Sequence, residues 1–246
     1  MNKFEYTTIG AFHVNHNEDA KTVCEISDNR RLIAVMDGCS MGIESHFAST
    51  IIAKVLRKIA KGFHFKSFVE KTEPPLFDQL AVILKQLFQE LKVLQNQLLL
   101  GKYELLSSLI LCVIDEKNEA AEVITIGDGL ICVNHQLTEY DQNDKPDYLG
   151  YHLNKDFDAW FQEQTQVLHL NNIKDLSIAT DGIFTFKPFE VNDFKAISPE
   201  EIIHYLLINR QWEEQKNMLT RKLHVLQNEY GLKPSDDLTI IRILLG

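Results

Sequence analysis

Short apolar runs that stop at acidic residues alternate along the chain with stretches whose apolar residues recur every three or four positions. The run Leu32–Met36 ends at Asp37-Gly38, which predicts a buried strand that enters a turn. The same pattern predicts three successive strands in "SSLILCVID", "AEVITIGDG" and "LICVNHQLTEY". It predicts two more in "DLSIATDG" and "DDLTIIRILL", near the end of the chain.

Helical spacing separates these strands. Apolar residues from Ile43 to Ile59 predict a helix that Lys61-Gly62 closes, and the leucine-rich stretch 76–100 predicts a longer helix. A third helical stretch begins with a capping box, Ser198 followed by Glu201, and continues to about Tyr230 with a break near "NRQW" left open. Residues 141–174 are mixed in pattern and give no assignment.

The order of these elements predicts an α+β fold with a mainly antiparallel sheet covered by helices. Strands and helices come in groups, so the regular alternation of a doubly wound fold is absent. The chain has 246 residues, a length that fits one large domain or two small ones.

Composition narrows the class of protein. The chain carries 25 basic and 35 acidic residues, a formal net charge of −10, which is opposite to the balance expected for binding nucleic acid through phosphates. No apolar stretch is long enough to span a membrane, and the N-terminus does not resemble a signal peptide. The 4 cysteines form no C-x-x-C pair, which is typical of reduced thiols, so we expect a cytoplasmic protein.

Acidic residues recur at the predicted strand ends: Asp37, Asp128, Asp181 and Asp236, with Glu18 and Asp19 near the N-terminus. Bringing these carboxylates together without compensation would be costly, because like charges repel and lose their water. Mg²⁺ and Mn²⁺ would remove that cost, since both prefer oxygen ligands. Asp-Gly is also a common turn dipeptide, so the spacing alone leaves a metal site and simple turns both open.

The ordered set "NEDA", "VMDGCSMG", "SSLILCVI", "ITIGDGLICV", "LSIATDGIF" and "SDDLTIIRI" resembles the metal-dependent serine/threonine phosphatases of the type 2C family. Each piece is short, but together they extend over nearly the whole chain in the family's order. The resemblance implies a β-sandwich of two antiparallel sheets flanked by α-helices. It further implies a single domain over residues 1–246, with a short flap-like segment around 138–165.

The resemblance also implies roles for individual residues. Asp37 would bridge two metal ions, and the carbonyl of Gly38 would bind the second. Asp181 and Asp236 would complete the protein ligands of the first metal, and Asp128 would hold a third ion together with Asp181. Glu18 and Asp19 would act mostly through metal-bound waters. Two or three Mn²⁺ or Mg²⁺ ions are therefore the expected cofactors.

Two positions depart from the family's pattern. Val14 stands where many members carry an arginine that binds the substrate phosphate, and the neighbouring His13 resembles a histidine of a bacterial branch. His13 is thus a candidate substrate ligand, or alternatively a packed side chain. Cys39 stands where some members have a histidine proposed as a general acid. A nucleophilic role for Cys39 is not favoured, because a metal-activated water makes it unnecessary.

The function implied is a Mn²⁺/Mg²⁺-dependent hydrolase that removes phosphate from phosphoserine or phosphothreonine by attack of a metal-bridging hydroxide. Its partners would be phosphorylated signalling proteins modified by a kinase, and neither nucleic acid nor a membrane. Two alternatives remain open at this point. One is an inactive or weak pseudophosphatase that serves as a regulatory or binding module, and the other is an unrelated binding protein whose Asp-Gly turns are only turns.

Overall fold

The computed structural model describes residues 1–40, 45–69, 72–141, 147–189 and 194–245. The strands in chain order are β1 (Asn2–Thr8), β2 (Ala20–Glu25), β3 (Arg30–Met36), β4 (Leu109–Asp115), β5 (Ala120–Ile126), β6 (Gly129–Val133), β7 (Gln136–Tyr140), β8 (Val167–Leu170), β9 (Asp175–Ala179), β10 (Phe186–Pro188), β11 (Leu232–Pro234) and β12 (Leu238–Leu244). The helices are α1 (Ser45–Ser67), α2 (Leu76–Gln97), α3 (Phe157–Gln162), α4 (Pro199–Leu207) and α5 (Met218–Tyr230).

Two five-stranded sheets form a sandwich. One has the strand order β1-β12-β9-β6-β7 and the other the order β2-β3-β4-β5-β8, while β10 and β11 make a separate two-stranded ribbon. All neighbouring strands run antiparallel. The predicted α+β class and the two-sheet sandwich flanked by helices are therefore confirmed.

The central strands are buried on both faces, which explains their continuous apolar runs. In β3, Ile33 and Val35 point between the sheets, whereas Leu32, Ala34 and Met36 face α1 and α2. Helices α4 and α5 cover the opposite sheet in the same way, with Leu206 and Leu223 in the same core cluster as residues of β12. The molecule thus has four layers: helices, sheet, sheet and helices.

The predicted end of the first helix at Lys61-Gly62 is wrong, because α1 continues to Ser67. A glycine inside a helix costs only about 1 kcal/mol relative to alanine. Burial of the next turn offsets that cost, since Phe63 packs against the core cluster beneath the helix. The second helix ends at Gln97, close to its expected limit.

The segment "LICVNHQLTEY" is a hairpin rather than one strand. Strands β6 and β7 pair through a two-residue turn at Asn134 and His135, whose φ angles are 47° and 73°. Positive φ at both central positions is the geometry of a tight hairpin turn. The turn carries β7 back beside β6, so that the end of β7 at Tyr140 lies beside its start at Gly129.

The stretch without a sequence assignment contains α3 and β8. Helix α3 begins at Phe157 and is capped by Asp156, whose carboxylate accepts the Ala159 N–H at 2.9 Å. The expected flap-like segment around 138–165 includes residues 142–146, which lie outside the described residues. Within the described part of the chain, no helix is both long and apolar enough to cross a membrane.

Near the C-terminus the predicted start and end of the helical stretch are confirmed. Ser198 and Glu201 form the capping box that starts α4, and Gly231 ends α5 in a left-handed conformation with φ 63°. Helix α4 ends at Leu207 and α5 starts at Met218, so the helical stretch is interrupted around "NRQW", as the sequence allowed.

Candidate active site

The acidic strand ends predicted from the sequence meet at one end of the sandwich. Asp37 follows β3, Asp128 lies between β5 and β6, Asp181 comes two residues after β9, and Asp236 comes two residues before β12. With Gly38 they line one cavity of about 550 Å³. The two sheets thus deliver carboxylates from distant parts of the chain into a shared space.

Asp128 owes its position to the glycines on either side of it. Gly127 and Gly129 have φ angles of 92° and 140°, which side chains of L-residues rarely adopt. A Cβ at Gly127 would lie 2.6 Å from the carbonyl oxygen of Asp147, and a Cβ at Gly129 would lie 2.9 Å from that of Ala179. Glycine on both sides is therefore needed to seat the carboxylate at the cavity wall.

Asp19 is buried beneath the cavity rather than in its wall. Its Oδ2 accepts a hydrogen bond from the Thr180 hydroxyl at 2.8 Å, and its backbone N–H donates to Asn17 Oδ1 at 2.8 Å. Its other oxygen, Oδ1, is buried without a hydrogen-bond donor among the described residues. Thr180 therefore has a clear role as a donor to this carboxylate.

Three aspartates of the cluster have raised pKa values, because their ionised forms are buried and repel one another. Burial raises the pKa of Asp19 to about 7, and repulsion from Asp181 adds to the effect. Burial together with the charges of Asp128 and Asp236 raises the pKa of Asp181 to about 7. Burial and the charges of Asp19, Asp181 and Asp236 hold the pKa of Asp37 well above its usual range. The cluster as described favours bound protons or another source of positive charge.

Glu18 and His13 lie beside the cavity rather than in its wall. Both line a neighbouring cavity of about 560 Å³, together with Ser40, which borders both spaces. The Glu18 carboxylate accepts a hydrogen bond from the Ser40 hydroxyl at 2.7 Å, and the Glu18 carbonyl accepts the Gly38 N–H at 3.1 Å. Glu18 is therefore joined to the turn that follows Asp37.

His13 contacts two carboxylates. Its Nδ1 lies 3.0 Å from Asp237 Oδ2, and its Nε2 lies 3.4 Å from Asp236 Oδ1. Burial lowers the pKa of His13, but the contact with Asp237 and the charges of Asp236 and Glu18 outweigh that effect and raise it above the usual value. The histidine is thus packed against acids of the site.

Several residues of the site were not singled out by the sequence. Glu139, Asp141 and Tyr148 line the main cavity, and Asp237 lies directly behind Asp236. The apolar-run pattern could have indicated Asp237, since "DD" precedes the last strand. No sequence signal marks Tyr148, whose place next to Cys39 depends on long-range packing.

Comparison with known proteins decides the family. The family model described as "Protein phosphatase 2C" matches residues 11–224. The chain belongs to the protein phosphatase 2C family. A search of curated protein sequences found no match.

Solved structures of this fold cover the chain almost completely. A bacterial serine phosphatase has a TM-score of 0.63 and 15% sequence identity, with 100% of this chain and 98% of that chain covered. Serine/threonine phosphatase Stp1 from Staphylococcus aureus has a TM-score of 0.63 and 14% identity, with coverage of 100% and 96%. RsbX, solved in complex with magnesium, has a TM-score of 0.56 and 14% identity, with coverage of 99% and 94%. At these identities the likeness shows a shared fold.

Proteins of the phosphatase 2C family generally use divalent metals. The groups around the cavity are carboxylate oxygens, the type that Mg²⁺ and Mn²⁺ prefer. The buried, unpartnered Oδ1 of Asp19 and the raised pKa values of Asp37 and Asp181 are the features that a cation would relieve. In the described ranges, no three His, Cys, Asp or Glu side chains are arranged so that they could hold a metal ion as they stand. The residues around the cavity therefore fit such an ion in the chemistry of their donor atoms.

Proposed function

We propose that this chain is a Mn²⁺- or Mg²⁺-dependent phosphoprotein phosphatase that hydrolyses phosphoserine and phosphothreonine. The observation that carries the proposal is the meeting of Asp37, Asp128, Asp181 and Asp236 around one cavity in a protein phosphatase 2C fold. The magnesium complex of RsbX supports a divalent cation as the cofactor.

The proposed metal ligands are Asp37, the carbonyl of Gly38, Asp181 and Asp236, with Asp128 and Asp181 available to a third ion. When bound, two such cations supply Lewis-acid polarisation of the phosphoryl oxygens and lower the pKa of a water molecule. The protein's own contribution is to hold the carboxylates on rigid strand ends, which orients the reacting groups before the reaction begins. Glu18 and Asp19 act behind this layer, and Asp19 accepts a hydrogen bond from Thr180.

The proposed substrate is a phosphorylated signalling protein in the cytoplasm. The two adjoining cavities would receive the phosphoryl group and the chain around it, and His13 is retained as the expected substrate ligand from the sequence. We further propose that residues 1–246 act as one domain, with the segment around 138–165 shaping access to the cavity.

A second candidate is a pseudophosphatase that serves as a regulatory module. One observation favours it: among the described residues that line the two cavities, none is lysine or arginine, and Val14 is 88% exposed. The retained acidic cluster favours catalysis instead, since a binding module has no need to keep mutually repelling carboxylates.

Hydrolysis of p-nitrophenyl phosphate separates the two candidates. Wild-type protein and Asp37→Ala are assayed with Mn²⁺, with Mg²⁺ and with EDTA. We expect turnover only with metal, and a loss of at least about a hundredfold in the variant, because removal of a group essential to charge stabilisation costs on that order. A wild-type protein that binds Mn²⁺ without turnover would favour the regulatory module.

A further inference from the structure

The loop before β2 is attached to the segment that joins β11 to β12. The Ala11 and Phe12 N–H groups donate to the carbonyls of Pro234 and Ser235 at 2.9 and 3.0 Å. Gly10 lies so close that a Cβ there would be 2.3 Å from the carbonyl carbon of Asp236. The N-terminal loop therefore rests directly on the segment that carries Asp236.

Asp237 is the centre of this attachment. The residue is 1% exposed, yet its carboxylate is well compensated. Oδ1 accepts the Gly10 N–H at 2.6 Å, Oδ2 accepts the Glu18 N–H, and Oδ2 also lies 3.0 Å from His13 Nδ1. One buried carboxylate thus holds the N-terminal loop at both of its ends by hydrogen bonds, and it lies against the middle of the loop at His13, where the contact has an ion-pair distance without hydrogen-bond geometry.

His13 extends the same contact to Asp236. The two ring nitrogens face different carboxylates, because Nδ1 lies against Asp237 and Nε2 lies 3.4 Å from Asp236 Oδ1. The Asp236 side chain is 42% exposed at the cavity, so little else on that side limits its rotation. Its Oδ1 also accepts the Asp237 N–H at 2.8 Å. The ring and this backbone bond together define the direction of the carboxylate.

We infer that Asp237 and His13 form a positioning pair that sets the orientation of Asp236 and the backbone of Glu18 for metal binding. Neither residue needs to contact the metal or the substrate. This positioning role is separate from the substrate contact proposed for His13 and does not depend on it. The inference rests on the proposed function, because it concerns the same metal site.

A positioning role and a simple charge effect predict opposite results at His13. If only charge mattered, removal of a basic side chain beside the acids would strengthen cation binding, while Asp237→Asn would weaken it. If the pair positions Asp236, both changes weaken binding. The sign of the His13 effect therefore separates the two explanations.

The experiment measures the Mn²⁺ dissociation constant of metal-stripped protein by calorimetry, with the Mn²⁺-induced rise in melting temperature as a second readout. The variants are Asp237→Asn, His13→Ala and His13→Asn. The asparagine at 13 places an amide N–H near the position of Nδ1, beside Asp237, but has no atom in the place of Nε2 beside Asp236. The matched control is Asp115→Asn, a buried carboxylate that likewise accepts a backbone N–H, from Asn118 at 2.9 Å, and contacts a cation, Arg30. It lies at the far end of β4 from the site.

We expect Asp237→Asn and His13→Ala each to weaken Mn²⁺ binding about tenfold, the lower range for groups that orient metal ligands. His13→Asn should recover only part of the loss, because it restores the Asp237 contact and not the Asp236 contact, and Asp115→Asn should bind as the wild type does. If Asp237→Asn does not fold, the half-buried His13 variants carry the test. Unchanged or tighter binding in His13→Ala would overturn the inference while the proposed function stands. A wild-type protein that binds no Mn²⁺ would overturn both.

Discussion

At the scale of single residues, the site is a set of carboxylates kept close at an energetic cost. Asp19 and Asp181 both have a pKa of about 7 in the folded protein, against an ordinary value of 3.8. Each unit of such a shift corresponds to about 1.4 kcal/mol of preference for the protonated form. Folding without a cation is therefore favoured when these groups keep their protons.

The stability of metal-free protein should consequently depend on pH. Well below pH 3.8 these carboxylates are protonated in both the folded and the unfolded state. As the pH rises towards 7, the unfolded carboxylates ionise first, so the folded state loses stability. We expect the melting temperature in EDTA to fall between pH 5 and pH 7.5, and the fall to shrink in Asp181→Asn. Saturating Mn²⁺ should remove the fall. An equal fall in wild type and Asp181→Asn would contradict this explanation.

Sequence reasoning at this scale found the acids that follow apolar runs, because a strand that ends at Asp-Gly is visible locally. It did not find Tyr148 or Glu139, whose places in the cavity depend on how β7 and the later turn fold back. It also could not show the contact between His13 and Asp237, because these residues are 224 positions apart in the chain, beyond any local pattern.

At the scale of elements, two glycines of this chain differ in whether their position tolerates a side chain. Gly62 lies inside α1, where an added Cβ would meet nothing within 4 Å. Gly127 lies before Asp128 at φ 92°, where a Cβ would approach Asp147 and Ser108 at 2.6 and 2.9 Å. The sequence pattern predicted that the helix ends at Gly62. The helix continues to Ser67 because Phe63, in its next turn, packs against the core.

Alanine at these two positions should therefore shift stability in opposite directions. Gly62→Ala should stabilise by about 0.5–1 kcal/mol through reduced backbone entropy. Gly127→Ala should destabilise by about 1–3 kcal/mol because of strain at positive φ. At this size each kcal/mol corresponds to about 2–4 °C in melting temperature. A lower melting temperature for Gly62→Ala would mean that the first helix does end at that glycine.

At the scale of the whole molecule, the sandwich turns distant motifs into one site. Strand β12 pairs with β1 at Asn2↔Leu244 and with β9 at Ile240↔Ala179, which places Asp236 next to the residues that follow β9. The central strands β3 to β6, β9 and β12 and the α+β class were predictable from apolar runs, whereas strands such as β1, β2 and β8 were not. The pairing order was not, since each strand's apolar pattern permits several partners and only the closed core selects among them.

Release of inorganic phosphate from a phosphoserine peptide by metal-stripped protein, before and after addition of Mn²⁺, tests the central claim most directly. Asp37→Asn and the control Asp115→Asn are measured beside the wild type. The acidic site predicts turnover that begins only with Mn²⁺, persists in Asp115→Asn and falls by at least about a hundredfold in Asp37→Asn. Phosphate release that is the same in EDTA, or that survives in Asp37→Asn, would contradict the claim that this cluster is a metal-dependent phosphatase centre.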